Sequence, residues 1–305
     1  MTNCILCGCN EKSFIPYFSN SKFSLVRCPN CDLIFQKNPH LINYLQSETK
    51  YNEENLAFRK AIRPELLRVA RQRLRWISQF SKSKRLLEIG GATGEFCSVA
   101  AESGWNVELL ELSDTFINEA KDQFGLNPRS ELIENTTLNY SSFDWVVLFH
   151  VFEHLPDPIM ALKKIRELLV DNGCLAIIIP NVESFSDNIW FNRNSSLNME
   201  DHLYHYSPKT IVKILDLAGF EILALRTHEP SHHWVTTFIY WLKILINSKQ
   251  GSFVNVSPVK THSNRRFLMP YFIGTFTSPF TWPFRKVIEI TEHGHEIMCI
   301  AQKKR

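Results

Sequence analysis

The chain has 305 residues, of which 44% are apolar and 21% charged, and its formal net charge is +3. This balance is typical of a globular protein and excludes a disordered or fibrous chain, and the charge is too small to argue for nucleic-acid binding by itself. The length suffices for one large α/β domain with an appendage, or for two modest domains.

The first residues, MTNCILCGCN, lack the basic and then apolar pattern of a secretory signal peptide. We therefore expect a cytoplasmic protein, with association at the inner face of the membrane as an alternative. In that compartment the eight cysteines are expected to bind metal or stay free rather than form disulfides. No apolar run reaches the ~20 residues that a membrane-spanning helix needs. The nearest, residues 267–284, contains three prolines.

Two Cys-x-x-Cys pairs stand near the start of the chain, namely Cys4 with Cys7 and Cys28 with Cys31. Each pair places two thiolates on one tight turn, and two such turns complete a tetrahedral zinc site. Aromatic and polar residues alternate between the pairs as in a hairpin, so residues 1–45 are predicted to form a zinc ribbon. Four thiolates leave no open position, so we expect a structural zinc. Cys9 is left over, as a spectator or as a rival to Cys7, and whether the ribbon contacts substrate stays open.

A basic helical linker is predicted over residues 46–83. Ten lysines and arginines lie from Arg59 to Arg85, against one acid, Glu65. Two interpretations stay open for this helix. It is a solvated helix face, or it attracts an anionic partner such as a diphosphate or a nucleic-acid backbone.

A glycine turn follows the short apolar strand RLLEI (85–89) and precedes a helix that begins near Gly94. Backbone N–H groups at such a helix start can face a ligand. The dinucleotide pattern G-x-G-x-x-G/A fails here, because Ala92 and Glu95 fall at its third and sixth positions. The spacing instead fits an acidic residue followed by alternating small residues: Glu88, Gly90, Ala92 and Gly94.

This turn resembles that of the class I S-adenosylmethionine-dependent methyltransferases. Later segments resemble the same family in order. A second strand ends at Glu111, a weak third strand is SELI (130–133), and residues 143–158 resemble the fourth strand and its loop. Residues 161–181 resemble a helix, a turn and the fifth strand, residues 207–226 a further helix and strand, and residues 292–304 the last strand. The resemblance covers residues 84–226 and the carboxyl-terminal segment. It implies an α/β domain over residues 84–305, with a doubly wound, Rossmann-like sheet of seven mostly parallel strands and an antiparallel last strand.

The resemblance also implies how S-adenosylmethionine would be bound. Glu111 would accept hydrogen bonds from the ribose hydroxyls, with Leu112 beside the adenine. His150 would lie against the cofactor, and Asn135 would contact the adenine. The methionine part would be held by Glu88 and by the turn formed by Gly90, Gly91, Ala92 and Gly94.

Ala92 departs from the family, which usually has glycine at this position. Its methyl group narrows the approach of a cofactor and disfavours a positive φ. A cofactor-binding scaffold without turnover is therefore kept as an alternative.

The segment FHVFEHLPDP (149–158) supplies candidate groups for the methyl acceptor. A hydroxyl, or a carbon beside a carbonyl, needs a base to remove its proton. We expect His154 to be this base, oriented by Glu153. Two alternatives stay open: the pair only shapes the turn before a helix that starts at Asp157 and Pro158, or Glu153, His154 and His202 bind a divalent metal.

Further candidates lie in MEDHLYHYSP (199–208), where His202, Tyr204 and His205 are expected to contact the substrate. A structural latch made by the two histidines is the alternative.

An apolar insertion is predicted at residues 228–290, before the last strand. We expect it to form a lid over the acceptor pocket or a homodimer interface, and a peripheral membrane contact is a further alternative.

The predicted ribbon ahead of this type of domain resembles the arrangement in bacterial sugar methyltransferases, of which the carbon-methylating members carry a longer carboxyl-terminal part. That resemblance implies methyl transfer to a sugar or a nucleotide-linked sugar, on oxygen or carbon, in surface-glycan or natural-product synthesis. An RNA methyltransferase is the rival interpretation. Residues 1–58 hold five basic residues and five acids, and a four-thiolate zinc site adds negative charge, so we expect no nucleic-acid partner.

Overall fold

The computed structural model describes residues 3–19, 23–37, 53–80, 82–185, 201–231 and 264–304, and every structural statement below concerns these residues. Their strands are β1 (Ile15–Ser19), β2 (Ser24–Arg27), β3 (Ile34–Gln36), β4 (Arg85–Ile89), β5 (Asn106–Leu110), β6 (Phe143–Phe149), β7 (Leu169–Pro180), β8 (Tyr204–His205), β9 (Phe220–His228) and β10 (Glu296–Lys303). Their helices are α1 (Glu53–Ile77), α2 (Glu95–Glu102), α3 (Asp114–Phe124), α4 (Pro158–Leu168), α5 (Pro208–Leu217) and α6 (Asn264–Ile290).

A six-stranded sheet in the order β5-β4-β6-β7-β10-β9 forms the centre of the larger part of the molecule. Strands β5, β4, β6 and β7 pair in parallel, whereas β10 runs antiparallel to both of its neighbours. The expected α/β class, the mostly parallel sheet and the antiparallel last strand are therefore confirmed.

Helices cover both faces of this sheet, which explains why its strands read as continuous apolar runs. On β6, Trp145 and Val147 belong to the hydrophobic cluster that includes α1 and α2. The alternate residues Val146 and Leu148 belong to the cluster that includes α4 and α5. All four side chains are fully buried.

The prediction of seven strands is wrong for the described part of the chain, because the segment SELI (130–133) is not a strand. Its position is marked only by an isolated parallel bridge between Leu110 and Arg129. The Glu131 carboxylate accepts hydrogen bonds from the Thr136 hydroxyl (2.8 Å) and the Thr137 N–H (3.0 Å). These bonds fold the segment into a turn instead of extending it along β5.

The basic helix α1 ends at Ile77, earlier than the predicted linker, and is fastened to the domain by ion pairs. Arg59 contacts Glu95 of α2 at 2.9 Å, while Lys60 and Arg63 contact Glu119 of α3 at 2.7 and 2.5 Å. These cations are engaged by acids of the domain itself. Helix α1 is therefore not a fully solvated helix face, and its basic residues are not all free to attract an anionic partner.

A second sheet, in the order β1-β2-β3-β8, joins the cysteine-rich segment to the larger part of the molecule. Strand β8 comes from far along the chain and pairs antiparallel with β3, with Ile34 opposite His205 and Phe35 opposite Tyr204. Two of the three residues expected to contact substrate, Tyr204 and His205, therefore extend the sheet of the amino-terminal segment.

Helix α6 is the described part of the predicted insertion, of which residues 232–263 lie outside the described residues. The helix runs without interruption through its prolines. No described helix combines the length and the apolar character needed to cross a lipid bilayer. Several of its large apolar side chains are exposed, namely Phe280, Trp282, Phe284, Val287 and Ile290.

Candidate functional site

The carboxyl ends of β4, β5 and β6 open into one large cleft that is closed on the other side by α1. Its volume is about 1460 Å³. Typical pockets for one small ligand hold roughly 300–1,000 Å³. The cleft is therefore large enough for two ligands side by side.

The glycine turn after β4 forms part of the cleft wall and tolerates no side chain at two positions. Gly90 has a φ of 69°, and a Cβ there would lie 2.6 Å from Val151. A Cβ on Gly91 would lie 2.4 Å from Leu109 and 2.8 Å from the Glu88 carboxyl group. Both glycines also line the cleft, so their backbone faces a ligand there without a side chain in between.

Ala92 takes the left-handed conformation that the turn requires, with a φ of 50°. Its N–H donates a hydrogen bond of 2.7 Å to Glu111 Oε2. Alanine therefore occupies the turn with the geometry of glycine, at the steric cost of a positive φ. Gly94, with a φ of 83°, caps α2 behind the turn and does not itself line the cleft.

Glu111 lies just past the end of β5, beside the turn. Its carboxylate accepts hydrogen bonds from the N–H groups of Ala92, Leu112 and Ser113 at 2.7, 2.8 and 2.9 Å. Burial raises its pKa, and the three N–H groups oppose that rise. Glu111 and Leu112 both line the cleft, as the sequence predicts, whereas Asn135 does not and its neighbours Leu132 to Glu134 do.

Glu88 is a buried acid at the floor of the cleft, only 4% exposed. Its Oε2 has no hydrogen-bond partner among the described residues. Burial raises the pKa of Glu88 to about 7. A cation that approaches this oxygen would stabilise the carboxylate form.

Arg73 of α1 is a cleft residue that the sequence analysis missed. Its guanidinium lies 4.6 Å from the centre of the Phe149 ring, and its charge lowers the pKa of Glu88. Arg73 is one of the ten basic residues between Arg59 and Arg85, and only the three-dimensional packing of α1 distinguishes it from the others.

His150 follows β6 in a left-handed conformation, with a φ of 59°. Its Nε2 donates a 3.1 Å hydrogen bond to Glu296 Oε1, on β10. Burial opposes ionisation of Glu296, but the bond from His150 outweighs it and the pKa of Glu296 lies well below its ordinary range. Glu296 was also missed, although an acid that opens an apolar last strand is a usable signal.

Glu153, His154 and His202 converge at the edge of the cleft, and we call them the acceptor cluster. Glu153 Oε1 lies 3.9 Å from His154 Nε2 and 3.8 Å from His202 Nε2. His154 lines the cleft and donates from Nδ1 to the Asp201 carbonyl oxygen at 2.9 Å. Burial raises the pKa of Glu153, which is only 1% exposed. The ligand atoms of the three residues lie within 4.8 Å of one another.

Tyr204 and His205 lie away from the cleft, in β8. The Tyr204 hydroxyl donates to the Pro156 carbonyl oxygen at 3.1 Å. Burial lowers the pKa of His205 to about 3, so this ring is neutral. Direct substrate contact, which the sequence predicted for both residues, does not fit these positions. The pairing of β8 with β3 fixes both residues beside the second sheet and away from the cleft.

The alternative that residues 149–158 shape the turn before a helix also has a structural basis, since Asp157 caps α4. Its carboxylate accepts from the Met160 N–H at 2.9 Å, and Pro158 is the first helical residue. The stretch therefore divides: Asp157 and Pro158 begin a helix, while Glu153 and His154 belong to the acceptor cluster.

Four thiols meet in the amino-terminal segment as the sequence predicts. The Sγ atoms of Cys4 and Cys31 are 3.5 Å apart, and those of Cys7 and Cys28 are 3.4 Å apart. All four lie within 4.8 Å of one another. A tetrahedral zinc with Zn–S bonds of about 2.3 Å needs sulfur separations of about 3.8 Å, so the set fits such an ion. Cys9 is not among the four.

The chain is similar to several known proteins. It is 30% identical over 129 residues to the ubiquinone biosynthesis O-methyltransferase of Coxiella burnetii, in strain Dugway 5J108-111 and equally in strain RSA 493 / Nine Mile phase I. The match covers 40% of this chain and 50% of those proteins, so the chain spans about half the length of the curated relatives it matches.

A solved structure shares the fold. A SAM-dependent methyltransferase from Archaeoglobus fulgidus superposes with a TM-score of 0.50 at 18% identity, covering 86% of this chain and all of that one. The family model described as "Methyltransferase domain" matches residues 58–225, which is more than half of the chain and includes most of α1, the glycine turn, Glu111 and the acceptor cluster. The chain therefore belongs to this methyltransferase-domain family.

Proposed function

We propose that the protein transfers the methyl group of S-adenosylmethionine to a small-molecule acceptor. One observation carries the proposal: Gly90 and Gly91 line the cleft between two acids, the buried Glu88 and the half-buried Glu111. A cofactor with an ammonium group at one end and a ribose diol further along matches that order of groups.

Glu88 would bind the cofactor's ammonium group through Oε2, which has no hydrogen-bond partner among the residues that the structure describes. Glu111 would accept hydrogen bonds from the ribose hydroxyls, and Leu112 would pack beside the adenine. Gly91 would let the methionine part pass close to the backbone. The bound cofactor supplies a methyl group on a positively charged sulfur, which makes that carbon electrophilic.

In the transfer, a bond forms between the acceptor oxygen and the methyl carbon as the carbon–sulfur bond breaks. The electron pair of the broken bond stays on sulfur, which becomes neutral. The acceptor hydroxyl loses its proton, and the sequence assigns this step to His154 with Glu153. Because His202 lies as close to Glu153 as His154 does, we propose proton removal at the acceptor cluster as a unit.

The acceptor is proposed to be a sugar or a nucleotide-linked sugar. The resemblance to bacterial sugar methyltransferases supports the class, and the size of the cleft supports a second ligand beside the cofactor. Arginines 73 and 226 line the cleft, where they would favour a phosphate-bearing acceptor. Oxygen is favoured over carbon as the methylated atom, because the relatives from Coxiella burnetii are O-methyltransferases by name.

For the amino-terminal segment we propose a structural zinc ion held by Cys4, Cys7, Cys28 and Cys31. The short separations between their sulfur atoms support this. Four thiolates leave no site for substrate on the ion, so it would stabilise the segment and take no part in the transfer.

Cofactor binding can be tested without knowing the acceptor. Calorimetry with S-adenosylhomocysteine, the demethylated cofactor, is expected to show one site per chain. Glu111→Gln should raise Kd at least tenfold, because one charged acceptor for two hydroxyls is lost. Glu102→Gln, an exposed acid at the end of α2, is the matched control and should bind normally. A wild-type protein that binds no S-adenosylhomocysteine would refute the proposal.

A further inference from the structure

The acceptor cluster contains an acid, Glu153, whose side chain is almost fully buried. Glu153 is 1% exposed, and neither of its carboxylate oxygens has a hydrogen-bond partner among the described residues. A carboxylate in that state is costly by several kcal/mol unless a cation compensates it. The arrangement of its neighbours shows which kind of cation would do so.

Three imidazole nitrogens surround the same oxygen at nearly equal distances. Glu153 Oε1 lies 3.8 Å from His202 Nε2, 3.9 Å from His154 Nε2 and 3.9 Å from His150 Nδ1. A shared proton would draw such a pair to about 2.7–3.0 Å. Two ligands on a metal with bonds of about 2.0–2.1 Å are instead separated by about 3.3 Å in a tetrahedron and by about 4.2 Å when opposite. The distances from Glu153 Oε1 to His154 Nε2 and His202 Nε2 fall between these two separations of metal ligands.

The ring of His154 is oriented for this role. Its Nδ1 lies 2.9 Å from the Asp201 carbonyl oxygen, which can only accept, so Nδ1 carries the proton. The neutral ring therefore has its lone pair on Nε2, the atom that faces Glu153. A ligand histidine that donates its second nitrogen to a backbone carbonyl is the usual arrangement at metal sites.

The third ligand is held in place from outside the cluster. Gln36 of β3 donates from Nε2 to the His202 carbonyl oxygen at 2.9 Å, and the Leu203 N–H donates to the Glu153 carbonyl oxygen at 3.0 Å. His202 is thus fixed between the ribbon sheet and the turn that carries Glu153 and His154.

We propose that Glu153, His154 and His202 bind a divalent transition-metal cation of the zinc, iron(II) or cobalt(II) class. Two imidazoles and one carboxylate are a ligand set that such ions prefer. This site is separate from the four thiols. His150 keeps its hydrogen bond to Glu296 and stands beside the site.

The cation would act on the acceptor, and this part of the inference rests on the proposed function. His150 and His154 line the cleft, so an ion bonded to Glu153 Oε1 would border it. Such an ion would attract a hydroxyl oxygen and lower its pKa. With Nε2 of His154 bonded to the ion, the cluster would promote proton removal through the ion, and the proton would pass to water in the cleft instead of to His154. The oxygen would then take the methyl group as described above. The acceptor is accordingly a compound that presents a hydroxyl oxygen, and a bare amine is a poor fit.

Cobalt(II) titration tests the site directly. Protein that carries one equivalent of zinc, enough for the four thiols, is titrated with cobalt(II) and followed by visible absorption. We expect one further equivalent to bind, with metal-centred bands and without a thiolate charge-transfer band. Glu153→Gln and His202→Ala should each raise the cobalt Kd at least tenfold. His228→Gln is the matched control, since His228 also pairs with an acid in the same cleft but lies outside the cluster, and it should bind cobalt normally.

Two outcomes would overturn the inference: no second equivalent binds, or Glu153→Gln and His202→Ala bind cobalt as tightly as the wild type. A thiolate charge-transfer band would also contradict the inference, because it would show that cobalt is bound by the four thiols. S-adenosylhomocysteine binding and the thermal unfolding midpoint are measured on the same samples. They show that each variant is folded, and they separate the two proposals, since loss of the metal site with cofactor binding intact leaves the proposed function standing.

Discussion

Glu88 is almost fully buried, and its Oε2 has no hydrogen-bond partner in the described part of the chain. Burial favours its neutral form, whereas a cationic ligand would need its charged form. The balance between the two is therefore measurable as a pH dependence of binding.

We predict that S-adenosylhomocysteine binds more tightly as the pH rises from 6 to 8. The pKa of Glu88 is raised to about 7, so the carboxylate that attracts the ammonium group is mostly protonated at pH 6 and mostly ionised at pH 8. If only the ionised form binds, Kd falls by about tenfold over this range. Calorimetry at a series of pH values measures it.

Glu88→Gln is the control, because it removes the titrating group and keeps the shape. This variant should bind S-adenosylhomocysteine with a higher Kd than the wild type at pH 8. Its Kd should also lack the pH dependence that Glu88 causes in the wild type. An equal pH dependence in both proteins would assign the effect to another group. Protein stability should change with pH in the opposite direction to binding. Because folding raises the pKa of Glu88, the contribution of this residue to the free energy of unfolding falls as the pH rises from 4.5 through 7.

Ala92 offers a second prediction at the residue scale. Its φ of 50° is a conformation that glycine adopts freely and a β-branched residue resists. We expect Ala92→Gly to bind S-adenosylhomocysteine at least as well as the wild type. Ala92→Val should lower the free energy of unfolding by about 1–2 kcal/mol, measured by urea denaturation. Tight binding by Ala92→Gly alone, with none by the wild type, would show that the methyl group of Ala92 blocks the cofactor and would contradict this prediction.

At the scale of elements, the pairing of β3 with β8 links the ribbon to the acceptor cluster. The same short segment, residues 201–206, pairs with β3 on one side and bonds to the Glu153 backbone on the other. If a zinc ion holds the ribbon together, its loss should loosen this segment.

We predict that Cys28→Ser increases amide hydrogen exchange in residues 201–206 by at least tenfold, because the partner strand β3 is no longer held. Mass spectrometry of the exchanged protein measures this. Cys9→Ser is the matched control, since Cys9 lies outside the four-thiol set, and it should leave the exchange unchanged. Residues 88–95, in the glycine turn, should also keep their protection. Unchanged exchange in 201–206 in the Cys28→Ser protein would show that the ribbon does not support the cluster.

The elements themselves were predictable from sequence to different degrees. The pairs of cysteines, the glycine turn and the acid after β5 depend on short-range spacing, and the structure brings each set together as expected. The predicted third strand, residues 130–133, is absent because the hydrogen bonds of Glu131 with nearby threonines fold the chain locally. The extent of α1 as a packed element depends on Glu95 and Glu119, which are distant in sequence. No pattern within the helix itself contains that information.

The pairing of β8 illustrates the same limit within the candidate site. Tyr204 and His205 are polar-tipped residues before a helix, and the sequence favours a role at the substrate. Their burial follows from a strand more than 160 residues away, which only the folded chain brings beside them. His202 joins Glu153 for the same reason.

At the scale of the whole molecule, the methyl donor and the acceptor are assigned to neighbouring parts of one cleft. The glycine turn, Glu88 and Glu111 lie at the ends of β4 and β5, and the acceptor cluster lies beyond the end of β6. The engagement of α1 by acids of the domain reduces the free positive charge that an RNA backbone would need. A small acceptor in the cleft is therefore the central claim.

The most direct test is methyl transfer from S-adenosylmethionine labelled in its methyl group, offered to a panel of nucleotide sugars, sugar phosphates and bulk RNA. The account predicts label in a hydroxyl-bearing small molecule, and at least a tenfold lower rate with Glu111→Gln at limiting cofactor. Label that appears in RNA and in none of the small molecules would contradict it.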